Sequence, residues 1–209
     1  MAKLNTLELF AGSCSFSNVA KEFNYNTFTV DNIDWGNIDY IVDILEFDYK
    51  KLPYKNVDFI WSSPPCTAFS VASMWRHWTK DNKPKSNTGI LGKKLVEKTL
   101  EIIDTVNPSI GWIIENPMGK LRKLDIIDNK YLHTVTYCQY GHTNMKYTDL
   151  WTNLDWTPRP QCKVGMPCHQ SAPRGSSQGT LGQKNAFERS KVPYELCKEI
   201  LENINVYKR

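Results

Sequence analysis

The chain has 209 residues, 41% of them hydrophobic and 23% charged, enough for one compact α/β domain of about 150 residues with an appendage. No apolar run approaches the ~20 residues needed to span a bilayer, and the amino terminus reads as a strand where a secretion signal would need an apolar stretch, so a soluble, cytoplasmic protein is expected. The net charge of +4 permits a polyanionic partner without demanding one.

Thr6 to Phe10 reads as a first strand, Ala11 to Ser15 as a tight turn of small residues, and Phe16 to Phe23 as a helix with Phe16, Val19, Ala20 and Phe23 on one face. Strands follow at Asn26 to Val30, Tyr40 to Val42 and Val57 to Trp61. Residues 74–93 are basic, aromatic and turn-rich, the composition of a mobile loop. Helical spacing of Leu91, Leu95, Thr99, Ile102, Ile103 and Val106 predicts a helix over about 91–106, which Asn107-Pro108 terminates. A strand at Ile110 to Ile114 is followed by two more, Leu132 to Cys138 and Tyr147 to Thr152, with no helix between them, which predicts an antiparallel pair closing the sheet. Residues 154–188 hold Pro158, Pro160, Pro167, Pro173 and a Gly/Ser/Gln-rich run over 174–183, so little regular structure is expected there. The chain closes with a helix from Pro193 to Asn203 that puts Leu196, Ile200 and Ile204 on one face. The alternation predicts a doubly wound, mostly parallel α/β sheet.

Three stretches carry chemistry. Pro64-Pro65-Cys66 follows an apolar strand, and in an open α/β sheet ligands bind just past the carboxyl ends of the strands. A thiol set there by prolines is either a nucleophile or a buried structural cysteine. The turn Phe10-Ala11-Gly12-Ser13 lets a ligand approach the backbone and precedes a helix amino terminus. It lacks the three glycines of a dinucleotide fingerprint, which disfavours NAD and suits a nucleoside with a carboxylate tail. Asp31 ends the second strand, where a carboxylate can accept two ribose hydroxyls, and Asp43-Ile44 ends the third, where an adenine could be held; a turn or helix cap is the alternative for each aspartate. Glu115-Asn116-Pro117 places a carboxyl at the same sheet edge as Cys66, in surroundings expected to keep a proton on it. A thiol and a protonatable carboxyl so placed can attack an electron-poor ring at carbon while engaging a ring nitrogen.

Leu7-Glu8-Leu9-Phe10-Ala11-Gly12, Asp58 through Pro64-Pro65-Cys66-x-x-Phe69-Ser70, Glu115-Asn116-Pro117 and Val192-Pro193-x-x-Leu196-x-x-x-Ile200 together resemble the ordered motifs of the cytosine-C5 DNA methyltransferase family. The resemblance covers most of residues 4–153 and the last helix, and suggests a compact, phage- or bacterial-type member serving restriction-modification or phage DNA modification. It implies a class I S-adenosylmethionine-dependent methyltransferase fold, with 1–153 as catalytic core, 154–188 as a reduced target-recognition or zinc-stapled insert, and 189–209 as a helix returning to the core. By resemblance, Cys66 is the nucleophile that adds to C6 of a flipped-out cytosine, and Glu115 engages N3 and the exocyclic amine while C5 takes the methyl group, leaving S-adenosylhomocysteine. Phe10, Ala11, Gly12, Ser13, Asp31, Asn32, Asp43, Ile44 and Pro64 then fall on the cofactor side. Pro65, Ser70, Trp75, Arg76, Asn116, Gln139 and Lys146 fall on the substrate side, with Trp75, Arg76 and Trp78 either bracing the gap left by the flipped base or lying elsewhere.

The sequence departs from the family pattern in three places. Cys14-Ser15 stands where the family has a glycine pair, Gln139-Tyr140-Gly141-His142 with Lys146 replaces a Gln-x-Arg-x-Arg segment, and the insert is too short for a full target-recognition domain. Short or weak sequence specificity is expected, in a monomer acting on DNA. The same chemistry on RNA, transfer of another group from a modified sulfonium, and a nucleic-acid-binding pseudoenzyme are the alternatives.

The six cysteines (Cys14, Cys66, Cys138, Cys162, Cys168, Cys197) are scattered, which favours reduced thiols or a metal site over a disulfide framework. Cys162-(x5)-Cys168-His169, with Cys138 or His142 as a further ligand, suits a tetrahedral zinc site stapling a loop that lacks a core; free thiols are the alternative. Arg159, Lys163, Arg174, Lys184, Arg189 and Lys191 suit a nucleic-acid backbone or an ordinary solvated surface.

Overall fold

The computed structural model describes residues 3–170 and 186–206, so Pro173, Lys184 and the expected irregular run 174–183 lie outside the described residues. Seven strands form one sheet: β1 (Asn5–Leu9), β2 (Asn26–Asp31), β3 (Tyr40–Ile41), β4 (Phe59–Ser62), β5 (Gly111–Pro117), β6 (Leu132–Thr136) and β7 (Tyr147–Thr152), in the order β3-β2-β1-β4-β5-β7-β6. The first five in chain order pair in parallel, and β7 inserts antiparallel between β5 and β6. This is the doubly wound, mostly parallel α/β sheet expected from the sequence. The antiparallel pair closes the sheet as predicted, with the last strand in the chain taking the inner place.

Strand periodicity divides the core. Leu7, Leu9, Ile60 and Ile114 point to the side covered by α3 (Asn87–Val106), whose Leu95, Val96, Ile102 and Ile103 share their cluster. Phe59, Trp61 and Ile113 point to the other side, against Phe16, Val19 and Ala20 of α1 (Ser15–Glu22) and Leu196, Ile200 and Ile204 of α5 (Tyr194–Val206). Strand faces covered on both sides explain why β4 carries Phe59, Ile60 and Trp61 in succession.

Three boundaries differ from the sequence reading. Residues 74–93 are not one loop: a short helix α2 (Met74–His77) interrupts them and α3 begins at Asn87, where the Ser86 hydroxyl accepts the Gly89 N–H at 3.1 Å as an N-cap. Trp78 anchors this stretch by donating its Nε1–H to the Ala68 carbonyl at 2.8 Å and stacking on Phe69, so it is core and cannot brace a flipped base. The strand at 132–138 stops at Thr136 and turns into a 3-10 helix, Tyr137–Tyr140, which Gly141 ends at a φ of 81°.

A buried ion pair locks the β6–β7 edge. Asp149 is fully buried and receives both Nε–H (2.7 Å) and an Nη2–H of Arg122, while Thr134 Oγ1 accepts from the same guanidinium at 2.7 Å and donates to Asp149 at 3.0 Å. Removing the cation would strand a carboxylate without water. Arg122→Ala is therefore expected to destabilise the protein by about 3–5 kcal/mol in denaturant unfolding, whereas Lys93→Ala, which loses only an exposed pair with Glu97, should cost less than about 1 kcal/mol.

Candidate functional site

The site is assembled at the carboxyl ends of β1, β2, β4 and β5. After β1 the chain bends through three left-handed residues, Phe10 (φ 56°), Gly12 (φ 48°) and Cys14 (φ 53°). Only glycine adopts such angles freely, so Phe10 and Cys14 store strain of about 1–3 kcal/mol each. Backbone hydrogen bonds hold them there: Ala11 N–H to the Val30 carbonyl at 3.0 Å, Gly12 N–H to Asp31 Oδ2 at 2.9 Å, and Cys14 N–H to the Ala11 carbonyl at 2.6 Å. Cys14 thus makes the bend at a position where a glycine pair was expected.

Beneath the turn lies Glu8, the lone acid in an apolar strand, with only 3% of its surface exposed. It accepts the first-turn N–H groups of Phe16 (3.3 Å) and Ser17 (2.8 Å), satisfying donors that open α1 would otherwise leave unpaired. Burial pushes its carboxyl up to about 7, with the Ser17 and Phe16 hydrogen bonds pulling against it. Burial, reinforced by Glu8, also pushes the Cys14 thiol to about 12.

After β4, Pro64 and Pro65 lead into the 3-10 turn Cys66–Ala68, with Cys66 as its first residue and exposed. Its carbonyl accepts from Phe69 N and Ser70 N, both at 2.9 Å. Close packing fixes the turn from behind: a Cβ on Gly92 of α3 would sit 2.7 Å from Ala68 Cβ, and one on Gly119 would collide with the Phe69 carbonyl. The walls around Cys66 raise its thiol pKa by desolvation, Lys146 draws it down, and Glu115 adds to the rise.

The carboxyl group of Glu115, in β5, is buried at 5% exposure. The Tyr137 hydroxyl donates to its Oε1 at 2.9 Å, and Lys146 Nζ stands 3.6 Å from the same oxygen and 4.7 Å above the Tyr137 ring. Burial, then Glu115, push the Tyr137 hydroxyl well above its ordinary pKa, so it stays a donor. Next along the strand, Asn116 is fully buried and donates its side-chain amide to the Pro64 carbonyl at 2.8 Å. Asn116 therefore ties the two strand ends together and is not among the residues lining the cavity beside it.

These strand ends surround a cavity of about 800 Å³, large enough for a cofactor tail and a base. Phe10, Ala11, Gly12, Ser13, Pro64, Pro65, Cys66, Ser70, Glu115 and Lys146 of the sequence-predicted set line it. A smaller hollow of about 80 Å³ adjoins it and contains Asp31, Asn32, Asp43 and Ile44, with Phe10 and Pro65 common to both. Asp43 also accepts the Leu45 N–H at 3.0 Å, so it is a helix cap as well as a wall residue.

Three further residues of the expected substrate side lie outside the cavity lining. Trp75 and Arg76 lie on α2, with Trp75 63% exposed and the Arg76 guanidinium 4.9 Å over its ring, and neither lines the cavity. Gln139 faces a thiol cluster, its amide 3.6 Å from Cys168 Sγ. That cluster gathers Cys162, Cys168 and His169 with Cys138, while His142 turns to the cavity wall, its Nδ1 accepting the Asn144 N–H at 3.0 Å. Burial lowers the His142 pKa, which keeps that nitrogen an acceptor. Glu8 and Tyr137 were not anticipated, and His142 was expected only as a possible zinc ligand, a place Cys138 takes in the cluster; a single acid inside Leu7-Glu8-Leu9 was the one legible signal.

The chain matches no protein-family model. Over 95% of its length it is 32% identical to a probable DNA (cytosine-5)-methyltransferase of Frog virus 3 (isolate Goorha), and the match covers 99% of that protein. The chain belongs to the DNA (cytosine-5)-methyltransferase family. Among solved structures, this family member is similar to the methyltransferase EhMeth of Entamoeba histolytica (13% identity, TM-score 0.48, 72% of this chain and 53% of that one) and to a variant of Spodoptera frugiperda DNMT2 (17% identity, TM-score 0.46, 76% and 54%). It spans about half the length of either structure.

Glu8 makes the fold of this methyltransferase pH-sensitive. Its folded-state pKa of about 7 lies above the ordinary 4.5, so the folded chain binds more protons in that window and stability falls as pH rises through it. The fall amounts to roughly 3 kcal/mol. Urea unfolding of Glu8→Gln at several pH values across this window should lack this decline; an identical decline in the variant would assign it to other groups.

Proposed function

We propose that this chain transfers the methyl group of S-adenosylmethionine to C5 of cytosine in DNA, through a covalent adduct between Cys66 and C6 of the base. One observation carries the reading: Cys66 and Glu115, on adjacent strand ends tied by the Asn116–Pro64 hydrogen bond, face a single cavity.

The residues suit the cofactor. The small hollow offers carboxylate acceptors at Asp31 and Asp43 beside the apolar faces of Phe10, Val30 and Ile44, a set appropriate to ribose hydroxyls and a flat ring. The bare backbone of Ala11 to Ser13 lines the large cavity next to it, where an amino-acid tail would lie. When bound, S-adenosylmethionine supplies an electrophilic methyl group on its sulfonium.

The protein's own groups do the rest. A base inside a duplex cannot reach Cys66, so the cytosine must leave the stack and enter the cavity. Cys66 adds as thiolate to C6, and its raised pKa means that the proton must be removed before attack, a step Lys146 favours electrostatically. Glu115, with Tyr137 and Lys146 on Oε1, holds the N3 and amine edge of the ring while addition of the thiolate at C6 makes C5 an enamine-like nucleophile. After methyl transfer, loss of the C5 proton and departure of the thiolate restore the aromatic ring. Trp75 and Arg76, exposed on the helix that follows the cavity-lining Ser73, are placed to meet the nucleic acid outside the pocket. Among the described residues no helix is long and apolar enough to cross a membrane, and the reading is of a monomer working in the cytoplasm.

Incubation with labelled S-adenosylmethionine and, separately, duplex DNA, single-stranded DNA and RNA, followed by nucleoside analysis, should yield 5-methylcytosine from DNA; none from DNA in any arm overturns the proposal. Cys66→Ser should lower kcat by at least about 10³-fold while calorimetry still detects cofactor binding. Asn116→Ala should lower kcat about 10- to 100-fold at nearly unchanged cofactor affinity, because it loosens the geometry without removing a reacting group.

A further inference from the structure

We propose that Cys138, Cys162, Cys168 and His169 bind a Zn²⁺ ion in a tetrahedral Cys₃His site that clamps the segment after β7 to the strand end carrying Tyr137. All four ligand atoms lie within 4.8 Å of one another. The individual separations are 3.1 Å for Cys162 Sγ to Cys168 Sγ, 3.9 Å for Cys168 Sγ to Cys138 Sγ, and 3.4 and 3.6 Å from His169 Nδ1 to the Cys162 and Cys168 sulfurs. A tetrahedron with Zn–S near 2.3 Å and Zn–N near 2.1 Å has edges of about 3.8 Å between sulfurs and about 3.6 Å between sulfur and nitrogen. The separations bracket those edges, running from 3.1 Å to an outer bound of 4.8 Å. A disulfide would use two sulfurs and leave the imidazole and the third thiol converging on nothing.

The donor set selects the metal. Three thiolates and an imidazole are soft and borderline ligands that suit zinc and reject magnesium and calcium. The Gln139 amide, 3.6 Å from Cys168 Sγ, is an outer donor to a ligating sulfur. The cluster shares no residue with the lining of the catalytic cavity.

The segment around the cysteines has little apolar core of its own. No helix or strand forms between Asn153 and Gln170, and Val164 and Met166 are 79% and 52% exposed, so residues around the cysteines bury little apolar surface. What fixes the loop is polar: Cys162 N–H to Thr136 Oγ1 at 2.8 Å, Tyr147 Oη to the Cys162 carbonyl at 3.0 Å, and Gln170 N–H to the Thr143 carbonyl at 3.0 Å. An ion at the centre of the thiols supplies the missing core.

The site also reaches the chemistry through the chain. Cys138 follows Tyr137 directly in the 3-10 helix Tyr137–Tyr140, and Tyr137 donates to Glu115. Metal binding at Cys138 therefore fixes a positioning residue for the carboxylate, and its loss should lower kcat.

The test measures metal in the native protein purified without chelator under reducing conditions. Elemental analysis should find zinc at one ion per chain, and Co²⁺ exchange should give the visible bands of a tetrahedral thiolate site. Cys162→Ser and Cys168→Ser should abolish both, Gln139→Leu should weaken zinc binding about tenfold, and Cys66→Ser should leave the metal in place. Folded wild-type protein without zinc and without the Co²⁺ bands, or an intact mass showing a Cys162–Cys168 disulfide in the reduced preparation, overturns the proposal. These readouts need no substrate, so they stand apart from the outcome of the methylation assay, and wild-type metal content decides the matter even where a variant fails to fold.

Discussion

The hydrogen bond from the Asn116 side chain to the Pro64 carbonyl is the constraint on which the site depends. Two strands can lie side by side in a sheet and still let the loops beyond them diverge. Here a fully buried amide spans from the end of β5 to the turn after β4, so the thiol and the carboxylate cannot drift apart independently. The arrangement carries a cost, since Asn116 Oδ1 is buried with no partner among the described residues, an unmet acceptor worth about 1–3 kcal/mol. A fold retains such a penalty where it fixes geometry.

The other supports have the same character. The β1 turn keeps non-glycine residues at left-handed angles by tying their neighbours to Val30 and Asp31. Glu8 takes a raised pKa in return for a place under the α1 amino terminus. Gly92 and Gly119 allow α3 and the segment after β5 to press against the Cys66 turn from two sides. Each device spends local stability to place backbone at the sheet edge, and the apolar clusters on both faces of the sheet offset that expense.

Much of this was legible in the sequence because it rests on local rules. Alternating strand and helix periodicity gave the layers, and prolines around Cys66 marked the turn. What escaped depends on partners distant in the chain. Asn116 looks like a substrate residue beside Glu115 until its side chain is seen to reach Pro64, 52 positions earlier. Gln139 looked like a base contact, but the chain coils into a 3-10 helix at Tyr137 and rotates it toward Cys168. The start of α3 was hidden because Ser86 to Gly89 reads as turn chemistry, and an N-cap uses those same residue types. No family of local patterns could have chosen Cys138 over His142 for the thiol cluster, since both lie on the same short connection.

The direction of β7 has a consequence for how much the chain after it can vary. Because β7 runs against its neighbours, it starts at the catalytic edge, where Lys146 enters, and finishes at the opposite edge, where the Asn153 side chain accepts the Trp112 N–H and Leu154 packs beside Gly111. The chain must then climb back over the height of the sheet to bring Cys162 to Thr136 at the end of β6. Leu154 to Gln161 form that return path, stiffened by Pro158 and Pro160 and pinned midway by Arg159 on Glu199. Such a strap has a minimum length set by sheet geometry, about 3.3 Å for each extended residue. Insertions beyond Cys162 leave it untouched, whereas a deletion before Cys162 would pull the thiols out of register with Cys138, so variation in this lineage should collect on one side of that cysteine.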